Sequence, residues 1–218
     1  SVTDGTLVQV AFYGGYFCMA LPAALFIRKF SYKVGLLVGL GLYAVGSLMF
    51  LPAQLIGSYY PFLLSYFILT CGLSFLETSA NPYILSMGNS ENATRRLNLA
   101  QAFNPIGSLL GMYVAMNFIQ NKLNPLSTSE RAILSESQFE MIKEADLSVL
   151  SAPYIVIGIV LIVMFVLFAV FLPKSRDTKE NVSESITKIV KRLWSNKRYR
   201  YGVVTQFFYV GVQIMCWT

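Results

Sequence analysis

Histidine does not occur in the 218-residue sequence. Its absence removes Ser-His and Cys-His nucleophile pairs, and any His-ligated metal, from these residues. Cysteine is sparse. Cys18, Cys71 and Cys216 each lie inside an apolar run, too scattered for a metal knuckle or a disulfide framework, and read as small buried hydrophobes. No metal and no cofactor is expected. Charge is scarce at 13% of residues, where soluble domains carry about 25%. The shortage is local: residues 5–27, 97–121, 147–173 and 201–218 carry no charge, and residues 34–90 carry one, Glu77. A helix crosses a bilayer with about 20 mostly apolar residues. These blocks reach that length, and 34–90 holds two crossings. An ordinary soluble globule, a disordered chain and a collagen-like fibre are excluded. A porin-type barrel is disfavoured because runs such as Val34-Gly-Leu-Leu-Val-Gly-Leu40 do not alternate.

What is present is the pattern of an all-α, polytopic transmembrane helix bundle. Six spans are predicted, at about 6–27, 34–56, 61–88, 97–120, 151–173 and 201–218. Their connections separate by charge. The first holds Arg28, Lys29 and Lys33, the second no charge, and the third Arg95 and Arg96 against Glu91. The fourth holds three bases and five acids, and the fifth nine bases and three acids. The positive-inside rule puts the basic connections in the cytoplasm and residue 1 outside. The net charge of +6 therefore belongs to cytoplasmic loops, and a nucleic-acid partner is not expected. A start outside the cell, together with a final apolar run of 18 residues, reads as a piece of a longer protein. At least one upstream span is expected.

Two connections have internal patterns. Ile186, Ile189, Val190, Leu193 and Trp194 recur at helical spacing, with Lys188, Lys191 and Arg192 on the other faces. This predicts an amphipathic helix at the membrane surface. In the fourth connection, Ser127-Thr-Ser-Glu130 and Ser135-Glu-Ser-Gln138 are capping-box patterns and predict one or two short external helices. Gly35, Gly39, Gly46 and the Gly107-xxx-Gly111 pair are expected to let helices approach closely.

Glu77 lies in mid-span, where an ionised carboxylate costs several kcal/mol. It must face a bundle interior or a wet cavity, or be protonated. It is a candidate proton-exchanging or ligand-binding group, with a structural glutamate bonded to a neighbouring helix as the other reading. Asn81 follows at i+4 on the same face, and Pro82 is expected to kink the helix and free the carbonyl of Thr78. The next span repeats the pattern, with Gln101 and Asn104 at i+3 and Pro105 directly after. Interrupted helices with polar backbone near the midplane are a common way to build a transport site. The first span adds a stripe of Gln9, Tyr13 and Tyr16, and the last a stripe of Gln206, Tyr209, Gln213 and Trp217. Amides supply donors and acceptors together, and aromatic rings stack on the C–H face of a pyranose. A small neutral sugar, a proton and the lipid bilayer are the expected partners.

Four stretches carry a resemblance: Gln9-Val-Ala-Phe-Tyr-Gly-Gly-Tyr-Phe17, Leu76-Glu-Thr-Ser-Ala-Asn-Pro82, Arg96-Leu-Asn-Leu-Ala-Gln-Ala-Phe-Asn104 and Gln206-Phe-Phe-Tyr-Val-Gly-Val-Gln213. At these residues the sequence resembles the L-fucose–proton symporter family of the major facilitator superfamily and its glucose/galactose transporter relatives. The resemblance implies a partial major-facilitator fold in which six spans of twelve, the second to the seventh, are present. Residues 1–173 would hold spans two to six, 174–200 the cytoplasmic linker with its amphipathic helix, and 201–218 the start of span seven. It implies a carrier of a bacterial inner membrane, not an enzyme, taking up fucose or a related hexose with a proton by alternating access. Glu77 would be the family's central-cavity carboxylate, and Gln101 and Asn104 its sugar-contacting amides, with Gln9 and Asn81 beside them. The family's other key carboxylate would lie on a span outside this chain, so there are two candidates for the coupled proton. The first loop, Phe26-Ile-Arg-Lys-Phe-Ser-Tyr-Lys-Val-Gly35, keeps the superfamily's basic residues but lacks the usual Asp. The alternatives are an intramembrane enzyme and a sugar-sensing receptor on a transporter fold.

Overall fold

Every regular element among the described residues is helical, as runs without polar alternation require in lipid. The computed structural model describes residues 2–131, 133–172 and 186–217, with the side chains of 2–5, 128, 186, 213, 214, 216 and 217 left aside. The chain divides into two compact units, residues 1–177 and 178–218. The first holds α1 (Val2–Lys29), α2 (Tyr32–Leu48), α3 (Phe50–Ile56), α4 (Tyr59–Ser86), α5 (Ala93–Gln101), α6 (Phe103–Val114), α7 (Thr128–Arg131) and α8 (Glu136–Phe171). The second holds α9 (Ile186–Ser195) and α10 (Lys197–Trp217).

Five stretches are long and apolar enough to cross a membrane: Thr6–Lys29, Tyr32–Ile56, Tyr59–Ser86, Ser90–Lys122 and Glu136–Phe171. They match the first five expected spans. The sixth falls on α10, a 21-residue helix whose first turn carries Lys197, Arg198 and Arg200 and which is not among the five. Two spans are interrupted by one residue each, at Met49 and Ala102. Both lie three residues before a proline, Pro52 and Pro105, whose missing N–H leaves the carbonyl of Leu48 or Gln101 without its helical partner. Pro82, where a kink is expected, lies inside α4, which runs without a break to Ser86, as α8 runs through Pro153.

The fourth connection also differs. Ser127 and Glu130 close a box around the single turn α7, with the Ser127 N–H and hydroxyl both donating to Glu130 Oε2 at 2.7 and 2.6 Å. The Ser135/Gln138 box instead opens α8, which continues for 36 residues into the expected fifth span. At 1.5 Å per residue it is about 54 Å long, well beyond the ~30 Å hydrocarbon core, so one end projects from the membrane. Nothing between Glu136 and Ser151 stops a helix, and Pro153 removes one bond only. Arg131 ties the projecting end down, donating to Asp146 at 2.8 Å and to the carbonyls of Asn124 and Leu126.

Helix α4 is the centre of the first unit, with α1 and α2 packed on it and α8 packed on α2. The α2–α4 seam is made of glycine. A Cβ on Gly46 would meet the backbone of Leu69, one on Gly72 the backbone of Tyr43, one on Gly39 Leu76 at 2.9 Å and one on Gly35 Ser79 Oγ at 2.5 Å. Such contact of bare backbone replaces the hydrophobic drive that lipid does not provide. The Gly107-xxx-Gly111 expectation fails among the described residues, where nothing lies within 4 Å of either position. The span that carries that pair, Ser90–Lys122, buries none of its apolar window, whereas Tyr32–Ile56 buries 44%.

Basic residues of the first and third connections sit on helix ends. Lys33 Nζ donates to the carbonyls of Ala169 and Leu172 at 3.1 and 2.5 Å, placing the first connection beside the end of α8. Arg96 donates to the carbonyls of Ile84, Leu85 and Asn89 at 3.5, 3.2 and 2.8 Å, closing the end of α4. Gly57, in the left-handed region at φ +64°, lies by Lys143 of the fourth connection. Both bases sit on the orphan carbonyls at a helix C-terminus, where positive charge is favoured.

Two outcomes follow. Gly46→Val should force α2 from α4 and destabilise the protein by about 1–3 kcal/mol, read as a lower midpoint of thermal unfolding in detergent. Lys33→Met should cost about 1 kcal/mol, and the difference from the parent should shrink as salt is added.

Candidate functional site

The polar residues of α4 line up toward α1. Phe67, Thr70, Ser74, Glu77 and Asn81 follow steps of three and four, which places them along one face. The seam with α2 uses a separate stripe of Leu69, Gly72, Leu76 and Ser79. Helix α1 approaches the polar stripe at Gly15, where a Cβ would run into Thr70 Oγ1 and lie 3.0 Å from the Phe67 carbonyl. The Ser74 hydroxyl donates to the Tyr16 carbonyl at 3.4 Å, and Cys71 Sγ lies 4.0 Å from the Gly15 carbonyl. Hydroxyls elsewhere on α4 bond back one turn: Ser65 to Pro61, Thr70 to Tyr66, Thr78 to Ser74 and Ser79 to Phe75, at 2.6–2.8 Å. Those side chains satisfy themselves on their own helix and leave Glu77 as the group with chemistry to offer.

One turn past Ser74, Glu77 lies on the same stripe, near enough to Tyr16 of α1 to interact with it electrostatically. Tyr16 is half-buried and Glu77 is exposed, so the acid stands beside the phenol and is open on its other side. It is not sealed in the dry α2–α4 seam. Asn81, half-buried on the same stripe, extends the polar surface by a turn. A carboxylate beside a phenol and an amide offers donors and acceptors together to a polar ligand.

The other expected residues distribute as follows. Gln9 and Tyr13 lie on α1 and are exposed, with the Tyr13 ring edge-on to Phe12 at 5.2 Å. Gln101 ends α5 and Asn104 lies in the first turn of α6, both exposed. Ala102 between them keeps helical dihedrals of −62° and −19°, so the two amides stay on adjacent turns across the break. Gln213 and Trp217 belong to α10, and their side chains are outside the described residues. The structure thus joins Glu77, Asn81 and Tyr16 along the α1–α4 crossing. Tyr16 was visible as part of a stripe, but its partner was not. A tyrosine followed at distance by a lone mid-span acid is the only sequence signal for such an approach.

Comparisons with known proteins agree with this architecture. The profile of the Major Facilitator Superfamily matches residues 1–218. The chain is 46% identical to the L-fucose-proton symporter of Haemophilus influenzae, covering 99% of this chain and 52% of that protein. It is 35% identical to the L-fucose-proton symporter of Escherichia coli, covering 97% and 49%. It is 30% identical to the Glucose/galactose transporter of Brucella abortus, covering 97% and 47%. The crystal structure of the Escherichia coli fucose:proton symporter superposes with a TM-score of 0.86 at 33% identity, over 99% of this chain and 53% of that one. The chain therefore spans about half the length of the relatives it matches. A multi-pass helical membrane chain, matched from end to end in sequence and in backbone, it belongs to the Major Facilitator Superfamily.

Proposed function

We propose that this chain forms part of a proton-coupled sugar symporter, taking up L-fucose or a related hexose by alternating access. The observation that carries the reading is Glu77. It is the one charge in residues 34–90, and it stands beside Tyr16 and is open on its other side. Lipid alone gives no reason to keep an acid there, whereas a proton that must be bound and released does. Asn81 extends the same stripe, and Gln101 and Asn104 offer amides beside a Pro-interrupted helix, as a solute rich in hydroxyls requires. Gln9 and Tyr13 of α1, and Gln213 and Trp217 of α10, are further candidate sugar contacts. The chain acts with the remaining spans of the same protein. Residues 1–173 contribute to one half, 201–218 to the other, and 174–200 form the cytoplasmic linker between them. The protein resides in a bacterial inner membrane with residue 1 on the external side. The chemistry is transport and not catalysis: the site holds one acid and neutral amides.

In cells producing the full-length protein, Glu77→Gln should abolish proton-driven accumulation and flatten the pH dependence of uptake, while exchange of internal for external sugar continues. Unchanged uptake and pH dependence would end this reading. Gln101→Ala and Asn104→Ala should each weaken sugar binding about tenfold, the equivalent of one hydrogen bond, as read by calorimetric titration of the purified protein. Binding equal to the parent's for both would remove these amides from the site.

A further inference from the structure

Helices α9 and α10 together hold six bases, Lys188, Lys191, Arg192, Lys197, Arg198 and Arg200, and no acid. Topology asks only that positive charge lie somewhere in a connection. It does not ask for the arrangement found here. At 100° per residue, Ile189, Val190, Leu193 and Trp194 of α9 fall within one arc of about 140°. Lys191 follows about 60° beyond one edge of that arc and Arg192 about 60° beyond the other, so a cation borders the apolar face on each side. Val190 is 54% and Trp194 60% exposed. An open groove lined by Thr187, Val190, Lys191, Trp194 and Ser195 runs along the Lys191 side. The Ser195 hydroxyl turns back to the Lys191 carbonyl at 2.8 Å, which leaves the Lys191 ammonium as the group in this groove that can meet an anion.

One residue, Asn196, separates the two helices. Its N–H donates to the Leu193 carbonyl at 3.0 Å, its side-chain oxygen accepts from the Arg198 N–H at 3.0 Å, and its carbonyl accepts from the Arg200 N–H at 3.1 Å. Asn196 thus closes α9 and caps α10, holding the apolar stripe and the bases of α10 on the two arms of one short corner. Beyond Arg200, residues 201–217 carry no charge, so these bases stand where an apolar helix begins. They do not serve α10 itself, since its dipole favours acids in the first turn.

We propose that α9 and the start of α10 form a binding surface for anionic phospholipid. The stripe of Ile189, Val190, Leu193 and Trp194 seats at the top of the acyl chains, and Lys191, Lys197, Arg198 and Arg200 gather the headgroup phosphates. Both halves of the surface need this occupant. An apolar arc flanked by cations fits a boundary between hydrocarbon and water, and the cations fit phosphodiesters at that same depth. A negatively charged leaflet presents the two together. A free phosphoester presents only the second. Headgroups that hold both arms of the Asn196 corner fix the depth at which α10 enters the membrane.

This inference rests on reading 174–200 as a linker at the membrane surface, and it needs neither the sugar nor the proton assignment. The full-length protein, purified in neutral detergent, is titrated calorimetrically with short-chain phosphatidylglycerol, short-chain phosphatidylcholine and glycerol 3-phosphate. The parent should bind phosphatidylglycerol about tenfold tighter than either of the others. Lys191→Gln and Arg198→Gln should each weaken that binding about fivefold, with phosphatidylcholine binding unchanged. Both side chains are exposed, and a parental midpoint of thermal unfolding without added lipid checks that each variant is folded. If the parent binds the two lipids equally, or both variants bind phosphatidylglycerol as the parent does, the bases serve topology alone and the inference is overturned. Glycerol 3-phosphate bound as tightly as phosphatidylglycerol would overturn it too, since the apolar stripe would then have no part. None of these readouts involves transport, so a Glu77→Gln result that ends the symporter reading leaves this outcome standing.

Discussion

Helix α4 must do two incompatible things in an apolar medium, and it separates them onto two faces about 150° apart around its axis. One stripe, Leu69, Gly72, Leu76 and Ser79, has so little side chain that α2 lies on it backbone to backbone. The other stripe carries Thr70, Ser74, Glu77 and Asn81 toward α1. In lipid there is no hydrophobic force to press helices together, so association depends on how closely atoms meet. The glycine seam provides that contact and fixes the rotation of α4. With the rotation fixed, Glu77 faces the α1 crossing beside Tyr16. If α4 turned by one residue about its axis, the acid would enter the seam, where it has neither partner nor access. The site is thus a by-product of where glycine permits contact.

The basic loops show a second economy. Arg96 and Lys33 lie in connections whose charge orients the chain in the membrane, and both also sit on the open carbonyl ends of helices. Lys33 joins residues 136 and 139 positions apart in sequence, tying the start of α2 to the end of α8. The first loop lacks the acid usual in its superfamily, and its lysine acts on a helix end without one. Charge counted for topology and charge used for capping are here the same charge, since both uses need a cation at a helix end.

The interruptions follow from proline placement and from where the lost bond falls. Pro52 and Pro105 open gaps at Met49 and Ala102, well inside their spans, while Pro82 stands one turn from the end of α4 and leaves it whole. The expectation of a kink at Pro82 treated it like Pro105. The local rule is the same for each, yet Pro82 and Pro153 lie inside unbroken helices, while Pro52 and Pro105 follow a one-residue gap. The long α8 teaches the converse. A capping box marks a helix start accurately and says nothing about where that helix stops, and residues 136–151 contain no stop signal.

Apolar run length, the lone mid-span acid, the alternation of loop charge and the membership of the chain in its superfamily could all be read without coordinates, because each is a property of residues close together in the sequence. Gly35, Gly39 and Gly46 could be recognised as packing residues for the same reason, while Gly107 and Gly111 carry the identical signature and meet nothing among the described residues. Spacing along one helix cannot say whether another helix lies opposite. That is why the approach of Tyr16 to Glu77, and the meeting of the Tyr66 and Tyr154 rings from two helices, appear only in three dimensions. Each is a coincidence of rotations and depths between separate helices. Those are set by contacts dozens of residues apart, which no local pattern encodes.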